Sequence, residues 1–227
     1  MALHAALPHA RREARAVVRR LGGGSQLLLG EEASEAFLKR ASLRRFAILH
    51  FATHAVMDEE HPARSAIVLS PGAVGEDGRL QIRDVVGLDL KGRPMVLSAC
   101  RTAGGTLLEG EGVMGLARAF FQTGVPTVVG SLWPLRDDDG ERLFGAFYRH
   151  LGQGRSAAAA LAAAQRERMA SGAPAAAWAG VVVLGYGDAV PFPDGAPGQR
   201  RSAPWVVLAA VAVLAGLVLL TRHRRAE

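Results

Sequence analysis

MVLSACRTAGG, Met95 to Gly105, and ILHFATHA, Ile48 to Ala55, are the two stretches on which a reading of this 227-residue chain turns. Each is a run of apolar, β-prone residues that ends abruptly in one reactive side chain, Cys100 in the first and His54 in the second. A strand delivers its last residues to the edge of a sheet. Two parallel neighbours of this kind bring their C-terminal side chains together, which is where open α/β sheets place their sites. A thiol there needs a base or a cation beside it, because the thiolate is the nucleophile and a free cysteine is mostly protonated at neutral pH. An imidazole at the neighbouring strand end supplies one. These residues read as a cysteine–histidine hydrolase pair separated by 100 − 54 = 46 positions. The competing reading is a buried cysteine acting as a small hydrophobe, with a histidine satisfied in the core.

Composition bounds the alternatives. The length fits one domain of about 190 residues plus an appendage, and 49% apolar residues are ample for one core. A single cysteine permits no internal disulfide, so nothing points to an oxidising compartment. The net charge of +6 and pI near 10.6 raise the question of nucleic acid. The arginines, however, lie scattered at Arg11–Arg20, Arg40–Arg45, Arg200–Arg201 and Arg222–Arg225. No aromatic-interleaved basic stripe or nucleic-acid motif accompanies them. No metal or cofactor is expected. The glycines Gly104, Gly105, Gly110 and Gly112 lack the Gly-Lys-Ser/Thr of a phosphate loop, and Glu109 and Glu111 between them would repel an anion.

Along the chain, Ala10 to Leu21 reads as an amphipathic helix stopped by Gly22-Gly23-Gly24, and Gln26 to Leu29 as a short strand. Ser34 is the expected N-cap of a helix over Glu35 to Arg40. After the His54 strand come a strand over Ala66 to Leu69, a short helix or turn over Leu80 to Val86, and the Cys100 strand. Val113 to Thr123 has apolar residues at helical spacing and ends at Gly124, a C′ glycine. Thr127 to Trp133 is a buried strand. Asp137-Asp138-Asp139 opens the next helix, where capping and dipole compensation are their first reading. Ser156 caps an alanine-rich helix, and Ala179 to Tyr186 is the last strand. The alternation of strands and helices favours a mostly parallel sheet with helices on both faces.

The end of the chain reads differently. Pro191 to Pro197 is a linker by composition, within a boundary drawn at 191–202. Trp205 to Leu220 is uninterrupted apolar sequence, bracketed by arginines and headed by an interfacial tryptophan. It lacks the amphipathic pattern of a buried globular helix. Residues 203–221 are therefore expected to form one transmembrane helix, leaving a basic tail over 222–227 and residues 1–190 as the folded domain.

HFATHA (His50–Ala55), LSACRTAGG (Leu97–Gly105), GEGVMGLARAFFQTG (Gly110–Gly124), VVGSLWPLRDDD (Val128–Asp139) and AFYRHLGQG (Ala146–Gly154) follow one another in the order and spacing of the CHAT domain, which the chain resembles over Leu7 to Asp188. CHAT proteins are the mostly bacterial, caspase- and separase-like family often found behind tetratricopeptide repeats. The histidine lies at about the interval found in caspases, whose Q-A-C-[RQG]-G compares with Ser98-Ala99-Cys100-Arg101-Thr102, without the Gln and the final Gly. The resemblance implies an α/β caspase-like three-layer sandwich with a mostly parallel sheet. It implies a cysteine endopeptidase acting on a protein or peptide substrate, with His54 and Cys100 as the dyad and the backbone N–H groups of Ala55 and Cys100 as the oxyanion hole. Family members generally carry glycine where Ala55 stands; alanine keeps the N–H but forbids easy positive φ. Asp137 is the acidic residue that a basic substrate side chain would meet in a specificity pocket. The usual preceding strands and repeats are not found, so the start reads as incomplete. The expected setting is regulated proteolysis or signalling by a membrane-tethered protein with its folded domain in the cytoplasm and a regulatory protein partner. A catalytically silent interaction scaffold with the same core is the alternative, and a DNA-associated basic protein a third.

Overall fold

Phe46–Phe51, the strand that precedes His54, is buried at all six positions, and the layers around it explain why its sequence is apolar on both faces. The computed structural model describes residues 7–56, 58, 61–98, 100–101, 111–196 and 206–211. In chain order these form α1 (Pro8–Leu21), β1 (Gln26–Leu29), α2 (Glu35–Arg40), β2 (Phe46–Phe51), β3 (His54–Val56), β4 (Ala66–Val68), β5 (Arg79–Gln81), α3 (Ile82–Val86), β6 (Met95–Leu97), β7 (Cys100–Arg101), α4 (Glu111–Gln122), β8 (Thr127–Ser131), α5 (Asp137–Leu151), α6 (Ala157–Ala170), β9 (Val181–Gly185) and β10 (Val206–Val211). Six strands make a large sheet in the order β1-β10-β2-β6-β8-β9, parallel throughout except for the antiparallel edge strand β9. Four more make a small sheet, β5-β4-β3-β7.

The two faces of the large sheet feed two separate cores. Phe46, Leu49, Phe51, Met95, Leu97 and Val128 pack with Leu38, Leu116 and Phe120 on one side. Ile48, Val96 and Val129 pack with Val17, Phe144, Phe147 and Leu161 on the other. This is a three-layer sandwich, and a parallel sheet covered on both faces needs the near-continuous apolar strands found here. Each fully buried large side chain contributes about 1.5–3 kcal/mol. The caps follow local chemistry: Ser34 Oγ accepts from the Phe37 N–H at 3.2 Å and Ser156 Oγ from the Ala159 N–H at 3.3 Å. Gly124 leaves α4 at φ 80°, the left-handed turn expected of a glycine there. Lys39 Nζ meets Glu35 and Glu76 at 2.7 Å and Asp84 at 3.2 Å, fastening α2 to the loop before β5 and to α3. The Glu35 carboxylate leads in raising the pKa of that lysine.

Two parts of the fold depart from the sequence reading. The small sheet is one: the His54 and Cys100 strands are not single runs but stop and resume. The other is β10. It falls inside residues 203–221, expected to be a transmembrane helix, yet Val206–Val211 lies between β1 and β2 as a parallel strand. The physical reason is that an unpatterned apolar run is compatible with a strand as well as with a membrane helix. No helix among the described residues is long and apolar enough to cross a membrane. The remainder of that stretch, the basic tail 222–227, part of the linker 191–202 and the glycine-rich loop over 102–110 lie outside the described residues.

Candidate active site

β2 and β6 leave the large sheet in step. In that sheet Leu49 pairs with Met95, His50 with Val96 and Phe51 with Leu97. Both strands then break and re-form as β3 and β7, where His54 pairs with Cys100 and Ala55 with Arg101. The offset is the same on both sides of the break, 95 − 49 and 100 − 54 each giving 46. Thr53 holds the crossing: it is fully buried, and its hydroxyl donates to the Val68 carbonyl of β4 at 2.6 Å. Neighbouring strands run about 4.8 Å apart, so the main chains of His54 and Cys100 are adjacent. His54 itself is 2% exposed.

Ala55 is buried mid-strand, flanked by β4 on one edge and β7 on the other. No non-glycine residue among those described has positive φ, so Ala55 occupies extended backbone in which its methyl group is not strained. Its N–H lies in a strand paired on both sides, and an oxyanion could recruit it only in competition with that ladder.

Asp137 is engaged elsewhere. Its two carboxylate oxygens accept from the backbone N–H groups of His9 at 2.8 Å and Ala10 at 2.9 Å. These are orphan donors of α1, whose own N-cap position, Leu7, supplies no side-chain bond. Asp137 therefore caps a helix, as its first reading held, but a helix 128 positions away in sequence rather than its own. His9 Nδ1 completes the clasp at 2.6 Å from Glu141. The space enclosed by Leu7, Glu13, Ser98, Ser131 and Asp137 is about 10 Å³, room for a single water.

With these features in place, the comparison with known families is informative: the model of the CHAT domain matches residues 2–186. The chain belongs to the CHAT family. The CHAT match takes in every element from α1 to β9, and the fold is accordingly caspase-like and peptidase-related. No curated protein matches the chain. Among the described residues of the CHAT domain, no group of three or more His, Cys, Asp or Glu side chains is placed to hold a metal ion.

The CHAT domain also contains a polar network that the sequence reading missed. Glu13 of α1, 2% exposed, directs Oε1 to His50 Nε2 at 2.7 Å and accepts from Ser98 Oγ through Oε2 at 3.0 Å. His50 Nδ1 lies 3.0 Å from the Tyr148 hydroxyl of α5. Tyr148 O–H can donate to Nδ1 and Ser98 O–H donates to Oε2, whereas Nε2 and Oε1 meet at ion-pair distance without hydrogen-bond geometry. Burial first, and then the charge of Glu13, push the Tyr148 phenol well above its ordinary pKa, so it remains a donor. Phe144 closes the pocket edge-on to the His50 ring at 5.9 Å. The available signal was a glutamate on the apolar face of α1, among Ala10, Ala14, Val17 and Leu21.

Proposed function

We propose that this CHAT domain is a cysteine endopeptidase whose working pair is His54 and Cys100. The observation that carries the reading is the backbone register that makes these two residues partners on neighbouring parallel strands. In the proposed reaction the Cys100 thiol gives its proton to His54, and the thiolate adds to a peptide carbonyl of a protein substrate. The oxyanion is met by backbone N–H groups, those of Cys100 and Ala55 being the candidates. The imidazolium returns the proton to the departing amine, and water then hydrolyses the acyl-enzyme. No third member is needed, since the imidazole alone can hold the thiolate as an ion pair.

Because Cys100 is the only cysteine, alkylation of the full chain by iodoacetamide reports on it alone. The expected result is labelling that persists well below the ordinary thiol range near pH 8.5 and loses that low-pH component in His54→Ala. Labelling that tracks an ordinary thiol in both proteins would sink the dyad. Cleavage should be abolished in Cys100→Ser. A second reading, a catalytically silent scaffold bound by a protein partner, draws on the burial of His54 at 2% exposure. It calls for partner binding that survives Cys100→Ser with no proteolysis in the wild type.

Recognition of a basic side chain by Asp137 belongs to the same proposal. A substrate cation would have to share the oxygens that cap α1, so Asp137→Asn should reduce any preference for Arg or Lys in a peptide library. Tethering to a membrane is supported by the composition of Trp205 to Leu220, with the CHAT domain facing the cytoplasm. The strand β10 uses six residues of that stretch, so insertion in a bilayer and pairing in the sheet exclude one another. Flotation of the full chain with phospholipid vesicles tests this: a chain that stays at the bottom of the gradient has no anchor.

A further inference from the structure

We infer that Glu13 is a positioning residue for the pair proposed above, holding both interrupted strands at the level where they leave the large sheet; this rests on the peptidase reading. A buried carboxylate is costly, and apolar replacements of buried ionic groups are often neutral or stabilising, whereas fixing a register is their best-attested use. The two oxygens of Glu13 are divided between the two strands that matter. Oε1 takes His50, four positions before His54, and Oε2 takes Ser98, two before Cys100. With the constant offset of 46, the level of Ser98 is that of Ala52 (98 − 46), directly after β2 ends. One carboxylate therefore joins the end of β2 to the interruption that follows β6, from the α1 side.

The surrounding groups keep it there. Tyr148 holds the far nitrogen of the His50 ring at 3.0 Å, so the imidazole cannot turn away. Gly140 of α5 faces the same carboxylate: a Cβ there would lie at ordinary contact distance, 3.6 Å from Glu13 Oε2 and 3.7 Å from Ser98 Oγ. Glu13 acts through His50 and Ser98, as a positioning residue. Its effect is to fix where β7 resumes, and with it the separation of Cys100 from His54.

The test is the pH midpoint of iodoacetamide labelling in the full chain, read beside thermal unfolding. Ser98→Ala and Glu13→Gln should each raise the midpoint by about one pH unit, giving about tenfold less thiolate at pH values well below the wild-type midpoint. Leu161→Ala, which loosens the same core from α6 without touching the network, should lower Tm yet leave the midpoint in place. A wild-type midpoint that is depressed and unchanged in Ser98→Ala and Glu13→Gln would overturn the inference while leaving the peptidase reading intact. So would a Leu161→Ala midpoint that moves as far as theirs, since that would mark general loosening. An ordinary midpoint in the wild type would remove both.

Discussion

β2 has a parallel neighbour on each side, and the two flanks are built in different ways. On one, β6 pairs with it at a separation of 46 positions, and the same offset continues into the small sheet that carries His54 and Cys100. On the other, β10 pairs Val206 with Phe46, 160 positions apart (206 − 46), with a shift of register after the first residue, and the ladder goes no further than the large sheet. Beyond β6 the sheet is extended by β8 and β9; beyond β10, among the described residues, lies only β1, which has no other strand neighbour among them. Closing the longer loop costs only about 1 kcal/mol more, because closure entropy grows with the logarithm of length. The contrast is one of dependence: the β6 flank is supported from several directions, whereas β1 is joined to the sheet through a single distant strand.

Proline scanning is the strongest way to break that comparison. Val96→Pro in β6 and Leu208→Pro in β10 each remove a ladder donor from a central strand, and each should destabilise the full chain by about 3 kcal/mol or more in urea unfolding. Hydrogen exchange should separate them, Leu208→Pro exposing β1 while β6 and β8 stay protected. If Leu208→Pro were silent where Val96→Pro unfolds the protein, β10 would not belong to the sheet in solution. A smaller effect sharpens the β6 side. Thr53→Val keeps the shape but leaves the Val68 carbonyl without its hydroxyl partner, which should cost about 1–3 kcal/mol and speed exchange in β3 and β4 without touching β1.

The smallest effect concerns acid. Arg149 first, and then His150, hold the Glu167 carboxyl down at about 2. A carboxyl whose folded pKa is depressed stabilises fully above its unfolded pKa of about 4.3, and that stabilisation fades as pH falls through about 2. The side chain is 41% exposed, so solvent screening keeps the contribution below about 1 kcal/mol. Glu167→Gln should flatten Tm between pH 4 and 2 relative to the wild type, leaving both flanks of β2 paired. A Tm profile as steep as the wild type's would assign the acid limb to other carboxylates.

Much of the β6 flank was legible from sequence because its signals are local. Apolar runs ending in His54 and Cys100, serine caps before Phe37 and Ala159, and a C′ glycine at position 124 each speak through near neighbours. The small sheet was not legible, since nothing in ILHFATHA distinguishes one strand from two divided at Ala52 and Thr53. The clasp of Asp137 on α1 and the Glu13–His50–Tyr148 network join residues about forty to well over a hundred positions apart, beyond the reach of periodicity. The strand β10 could not be read from sequence for a physical reason: an apolar run without alternation is compatible with a strand or with a membrane helix.

The matched interruptions have a mechanical corollary. His54 and Cys100 sit on one four-stranded ladder, connected to the large sheet through the crossings that follow Phe51 and Leu97. A displacement of that ladder as a unit is common-mode for the pair: both residues travel together and the spacing between them is conserved. Only a differential movement, one strand sliding past the other, separates them, and it must break the ladder hydrogen bonds to do so. Access to the pair and integrity of the pair are thus separate mechanical coordinates.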